Sequence, residues 1–253
     1  ESEVSKIEKA CRIVADTFNI IKPLMCAGTG TLEIDKVSED YIRSKNARPA
    51  FKGYEVEGKF FPGTLCISIN EEVVHGIPSD RKLKEGDIVS VDCGAELNGY
   101  FGDSAVTFGI GAIDSEDEKL MKVTNESLFK GIENAVAGKK LYDISRAIQE
   151  HCESNGYSLT RELVGHGIGQ NLHEEPPVPN FVPPLLYRSR YPNIKLRNGI
   201  ALAIEPMVHR GKKEIRSLQD GWTIVTADKS TAAHFEHTVI IDNDKAIILT
   251  LRD

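Results

Sequence analysis

The chain carries one passage twice, and that repetition constrains its fold more than any other feature. Leu83-Lys84-Glu85-Gly86-Asp87-Ile88-Val89-Ser90-Val91-Asp92 is matched by Leu196-Arg197-Asn198-Gly199-Ile200-Ala201-Leu202-Ala203-Ile204-Glu205, and each copy ends an apolar run on a carboxylate. His75-Gly76-Ile77 returns as His166-Gly167-Ile168, and the acid of Gly102-Asp103-Ser104 is answered by that of Phe235-Glu236-His237. At a constant offset of 110 residues, Ser5, Glu8, Lys9, Ala27, Gly28, Ile34 and Ser44 meet Ser115, Glu118, Lys119, Ala137, Gly138, Ile144 and Ser154. Helical apolar positions and the Ala-Gly punctuation survive together at one offset, which points to an internally duplicated helix-helix-strand unit. Two halves, about 3–110 and 113–250, would then form a single pseudosymmetric domain over 1–253 and bring equivalent polar groups to one place.

Periodicity fills in the unit. Ile7, Cys11, Val14, Phe18 and Ile21 share one helical face, closed off by Pro23 and Gly28, and a second helix is expected from about Thr31 to Ser44. Short β-rich runs follow, among them Cys66–Ile69, Ile88–Val91 and Ala105–Phe108. Helices return at about 115–136 and 140–155, then strands around 161–174, 200–209, 222–227 and 235–250. The order predicts an α+β fold, an antiparallel sheet flanked by two pairs of helices. The proline-rich stretch from Glu174 to Pro192 reads as an ordered loop or lid.

The balance of charge narrows the partners. A formal net charge of −7 without a basic run argues against a nucleic-acid groove, which needs clustered Lys and Arg. No apolar stretch approaches the roughly 20 residues of a membrane span, so no membrane is expected either. Cys11, Cys26, Cys66, Cys93 and Cys152 are odd in number and form no Cys-x-x-Cys pair, which points to reduced thiols and a cytoplasmic setting.

The chemistry lies in the carboxylates. Asp92, Asp103, Glu205 and Glu236 end or interrupt apolar strands, where burial of a lone ionised carboxylate is costly. Four such groups at one centre repel unless protons or cations neutralise them; four hard oxygen donors and one imidazole suit two divalent ions. A single acid at a strand end is more often a cap or a surface partner of Arg; the pairing across the repeat is what favours ligation. His166, set in Gly165-His166-Gly167-Ile168-Gly169, has small neighbours that allow close approach, whereas His75 and His173 lack a carboxylate at ligand spacing and read as hydrogen-bonding groups beside the ions. Alternation sends His234 and Glu236 to one face and leaves His237 to packing.

The strings Ile69-Asn70-Glu71, His75-Gly76-Ile77-Pro78, Val91-Asp92, Gly102-Asp103, Gly165–Gly169, His173-Glu174-Glu175-Pro176, Ile204-Glu205-Pro206 and Glu236-His237-Thr238 resemble those of the methionine aminopeptidases, over nearly the whole chain and in the type I form. The resemblance implies a pseudo-twofold pita-bread fold. It makes Asp92, Asp103, His166, Glu205 and Glu236 the ligands of two divalent ions, drawn from Co, Mn, Fe, Zn and Ni, with Asp103 and Glu236 bridging. It implies that a hydroxide held by both ions attacks the peptide while Glu205 shuttles its proton, His173 contacts the scissile carbonyl and His75 the scissile nitrogen. It further assigns Tyr54, Phe61, Cys66, His75, Leu172 and Trp222 to a methionine pocket, with the lengthened Val56–Phe60 stretch leaving the register at Phe60 and Phe61 open. The Leu185–Asn193 extension carries no role, and is expected to cover the site mouth or make a subunit contact.

The activity so implied is removal of the N-terminal methionine from peptides and nascent polypeptides with a small second residue, the ribosome being one place to meet them. Two readings compete: an enzyme cleaving before proline, expected to carry an extra N-terminal domain and further histidines, and a non-enzymatic binding module, expected to have lost ligands.

Overall fold

A computed structural model of the chain describes residues 2–252. Helix α1 (Glu3–Ile21) starts where the Ser2 hydroxyl accepts from Ser5 N, and it buries Ile7, Cys11, Val14, Phe18 and Ile21 along one side. Helix α2 covers Thr31–Ser44, helix α3 Ser115–Asn134 and helix α4 Leu141–Ser154, so a pair of 19 and 14 residues is followed by a pair of 20 and 14. Each pair rests on antiparallel strands. In the first half the long strands Ile88–Leu97 and Tyr100–Gly109 form a hairpin, with Leu65–Ile69 paired on the free side of the former. In the second, Ala201–Ile204 lies between Gly165–Gly167 and His237–Ile241. One apolar cluster forms beneath α1 and α2 around Phe18, Leu65, Val89 and Val91; another forms beneath α3 and α4 around Leu128, Ile144, Leu202 and Val239.

Equivalent positions make equivalent bonds. Gly28 and Gly138 take left-handed φ values of 95° and 94°, and their N–H groups donate to Leu83 O at 2.8 Å and Leu196 O at 3.0 Å. Gly86 N donates to Ile110 O and Gly199 N to Ile241 O, both at 2.9 Å. These four glycines adopt a conformation in which an added Cβ is strained, so the repeated Gly positions are conformational requirements of two turns.

Four expectations about local structure need correction. The run 161–174 is no single strand: Gly165–Gly167 forms one strand and Glu174 opens the next, and between them Glu174 Oε1 accepts from Asn171 N at 2.8 Å across a loop. The run 200–209 breaks into Ala201–Ile204 and Met207–His209, since Pro206 has no N–H to continue a ladder. Of the proline-rich loop, Glu174–Val178 is a strand pairing with Gly165–Gly167. The remainder does not line the cavity of the candidate ligands: in the exposed turn Leu185–Tyr187, Tyr187 lines a second cavity with Gln149, Arg161 and Lys213.

The halves meet at a polar seam. Glu236 N donates to Ala105 O at 3.0 Å, Thr238 Oγ1 donates to Asp103 O at 2.7 Å, and Thr107 Oγ1 donates to His234 O at 2.8 Å. Helix α1 presses on the same hairpin so closely that a Cβ at Gly102 would stand 2.5 Å from Cys11 N. Gly102→Ala is therefore expected to cost stability toward the upper end of about 1–3 kcal/mol, lowering the melting temperature by roughly 2–4 °C per kcal/mol. A thermal unfolding curve unchanged by the substitution would show that α1 yields without cost.

Candidate metal centre

Strand register explains why four distant acids converge. Asp92 pairs with Ala105 on the adjacent strand, and Asp103 lies two residues from Ala105, so alternation puts both carboxylates on one face of the hairpin. On the other half, Ala203 is the partner of both His166 and Thr238; two residues on, Glu205 and Glu236 stand one step past the last ladder pair, Ile204 with His237. The seam then sets the two faces against each other.

The result is a cluster of charge with few internal partners. His166 Nε2 lies 3.7 Å from Glu205 Oε1 and 4.0 Å from Asp103 Oδ2, and ligand atoms of Asp103, His166 and Glu236 all lie within 4.8 Å of one another. Asp103 and Glu236 are buried, and among the described residues Asp92 Oδ1, Asp103 Oδ1 and Glu236 Oε1 have no hydrogen-bond partner. Burial, reinforced by the neighbouring carboxylates, raises the Asp103 and Glu236 carboxyls well above their ordinary range, and burial pushes Asp92 up to about 7. Burial alone would raise Glu205 too, but His234, His166 and His173 outweigh it and lower that carboxyl. Oxygen donors that are buried, unpaired and mutually repelling, with one imidazole among them, fit divalent metal.

His234 was assigned no role from sequence beyond sharing a face with Glu236. Its Nε2 stands 3.3 Å from Glu205 Oε2, an ion-pair approach whose angles fall short of a hydrogen bond. Its spacing of two from Glu236 was the available signal. His237 is buried on the opposite side, where its Nδ1 meets Thr250 Oγ1 at 2.8 Å.

Above the carboxylates opens a cavity of about 270 Å³ lined by Tyr54, Phe61, Cys66, His75, Leu172, His173 and Trp222 as well as by all five ligand-type residues. Phe61 and Trp222 meet edge to face at 5.2 Å. Phe61 is buried and lines the cavity, whereas Phe60, in the small hairpin of Glu55–Val56 and Lys59–Phe60, is 62% exposed. Phe51, Val56, Val74, Leu163, Val164 and Met207 complete the wall and were not foreseen; they come from segments whose convergence no local pattern announces. His75 holds a left-handed φ of 59°, strained for a residue with a Cβ, and burial lowers its imidazole's affinity for a proton. His173 is lowered to about 4 by burial and by His166, whose ring lies 4.4 Å away, so it is neutral at pH 7.

The chain belongs to metallopeptidase family M24, whose family profile matches residues 5–243. The methionine aminopeptidase of Clostridium acetobutylicum is 50% identical over 252 residues, covering 99% of this chain and 97% of that one; methionine aminopeptidase 1 of Bacillus subtilis is 47% identical over 248 residues, covering 98% and 96%. The crystal structure of methionine aminopeptidase from Thermotoga maritima is 41% identical, with a TM-score of 0.92 over 99% of this chain and 97% of that one. Within the family, the chain thus falls among the methionine aminopeptidases. Prolidase from Pyrococcus furiosus, 23% identical with a TM-score of 0.79, covers 99% of this chain but 64% of its own and shares the fold alone.

Proposed function

We propose that this chain is a cytoplasmic methionyl aminopeptidase that removes the N-terminal methionine from peptides and nascent polypeptides whose second residue is small, working with two divalent transition-metal ions. The membership in family M24 supports metal-dependent hydrolysis, and the observation that carries the rest is that the carboxylate cluster lines one largely apolar cavity together with Tyr54, Phe61, Cys66, Leu172 and Trp222. No helix among the described residues is long and apolar enough to cross a membrane.

Asp92, Asp103, His166, Glu205 and Glu236 would hold the ions, in one domain of two related halves. When bound, such ions polarise a carbonyl and lower the pKa of a water so that it attacks at neutral pH. The protein's own groups do the rest. The Glu205 carboxylate, kept ionised by its histidine neighbours, takes the proton of the attacking water and delivers it to the leaving nitrogen. His173, neutral at pH 7, donates to the carbonyl oxygen as negative charge develops, and His75 steadies the scissile nitrogen. Asp92 faces the free α-amino group, which restricts cleavage to the first residue. Tyr54, Phe61, Cys66, Leu172 and Trp222 enclose an unbranched thioether, a polarizable side chain suited to aromatic and thiol walls.

Peptides test the reading. Met-Ala-x and Met-Gly-x should be cleaved after Met faster than Met-Leu-x or Met-Lys-x, and more than about tenfold faster than Leu-Gly-x, the scale set by small differences in an apolar pocket. An acetylated N-terminus should block the reaction. Preference for Xaa-Pro peptides, or cleavage of the acetylated peptide, would overturn the assignment.

A further inference from the structure

Tyr54 is more than a wall of the cavity. Its hydroxyl lies 2.7 Å from His173 Nδ1, and the two rings meet edge to face at 5.3 Å. On its other side the His173 ring meets that of His166 at 4.4 Å, again edge to face, so the imidazole is clamped between a phenol and a ligand-type histidine. Tyr54 is itself fixed by its main chain: its N–H donates to Phe51 O at 2.8 Å and its carbonyl accepts from Phe61 N at 2.9 Å.

A neutral imidazole has one nitrogen that donates and one that accepts, and the two roles are exclusive. If Nδ1 held the proton, Nε2 would present a lone pair to the substrate and repel an oxyanion. If Nδ1 accepts, Nε2 carries the proton. The phenol decides between them: among the described residues His173 Nδ1 is the only partner of the Tyr54 hydroxyl, so donation to Nδ1 satisfies both groups, while the reverse leaves the phenolic proton without an acceptor in the protein. Nε2 has no hydrogen-bond partner among the described residues, which leaves its proton for the substrate.

We propose that Tyr54 is a positioning residue that holds His173 in the Nε2–H form, the only tautomer able to donate to a developing oxyanion. This rests on the role given to His173 under the proposed function.

Tyr54→Phe keeps the ring and removes only the hydroxyl. With a Met-Ala peptide and metal-loaded enzyme, kcat should fall about tenfold, the worth of one hydrogen bond, while KM stays within about twofold and metal stoichiometry is unchanged. The second readout needs no turnover: in ¹⁵N-histidine spectra of the metal-free protein, the His173 resonances should change from the pattern of a single Nε2–H tautomer to that of a mixture. A rise in KM at unchanged kcat, or a His173 tautomer unaffected by the substitution, would reduce Tyr54 to a pocket wall. Should the wild-type enzyme fail to cleave the peptide at all, the fault lies with the proposed substrate, and the spectra still decide the tautomer claim.

Discussion

Glu236→Gln and Asp103→Asn are each expected to abolish peptidase activity beyond recovery by added metal, while wild-type protein stripped by a chelator recovers with a divalent transition metal. Each removes an anionic donor from the centre of the cluster, where Asp103 and Glu236 lie buried with orphaned oxygens. The same substitutions should have the opposite effect on the metal-free fold. Burial and mutual repulsion raise the folded-state pKa of Asp103 and Glu236, and burial takes Asp92 to about 7. For a carboxyl raised on folding, the native state keeps its proton longer than the unfolded chain does. The stability it contributes is present below the unfolded pKa of about 4 and is lost as pH rises toward the folded value. Metal-free wild type should therefore melt lower at pH 8 than at pH 5 relative to Glu236→Gln, and the variant should melt higher than wild type at pH 8. Calorimetry with and without metal reads both signs at once; full activity in either variant, or a variant less stable than metal-free wild type at pH 8, would refute the account of the cluster.

His173→Ala is expected to lower kcat roughly a hundredfold or more, the scale of one oxyanion donor, with metal stoichiometry near normal. The separation follows from geometry: His173 lines the cavity beside His166, yet its Nδ1 is committed to Tyr54. Loss of a metal equivalent in the variant would make His173 a ligand instead, and unchanged turnover would remove it from the reaction. His75→Ala should show a smaller loss in the same assay, since a contact to the leaving nitrogen carries less developing charge than one to the oxyanion.

The parts of this molecule governed by a period were legible in its sequence. The extent of α1 follows from apolar spacing and from Pro23 and Gly28 beyond it, that of α2 was expected over the same residues, and the candidate ligands stand out because Asp92 and Glu205 end matching runs. What escaped was set by contacts between distant segments. The break at Pro206 turned one expected strand into two, and the Glu174 carboxylate folded the segment before it into a loop. Val56 reached the cavity wall through a hairpin, and Phe51 through the bend before it, whose placement no local signal encodes. The closeness of His234 to Glu205 required knowing how the end of one strand faces another.

The motif His-Gly-Ile occurs twice and its two histidines lead different lives. His166 sits in an extended strand and is carried against Asp103 and Glu205, whereas His75 takes a left-handed turn at φ 59° and joins the wall of the cavity. A twofold-symmetric centre would treat both ends of a bound peptide bond alike, which is useless for breaking a bond whose carbonyl and nitrogen need opposite assistance. Here the two imidazoles part company: one stands among the anions and the other on a left-handed turn in the cavity wall, so that under the proposed function they would serve opposite ends of the bond, a polarity that the duplicated sequence lacks.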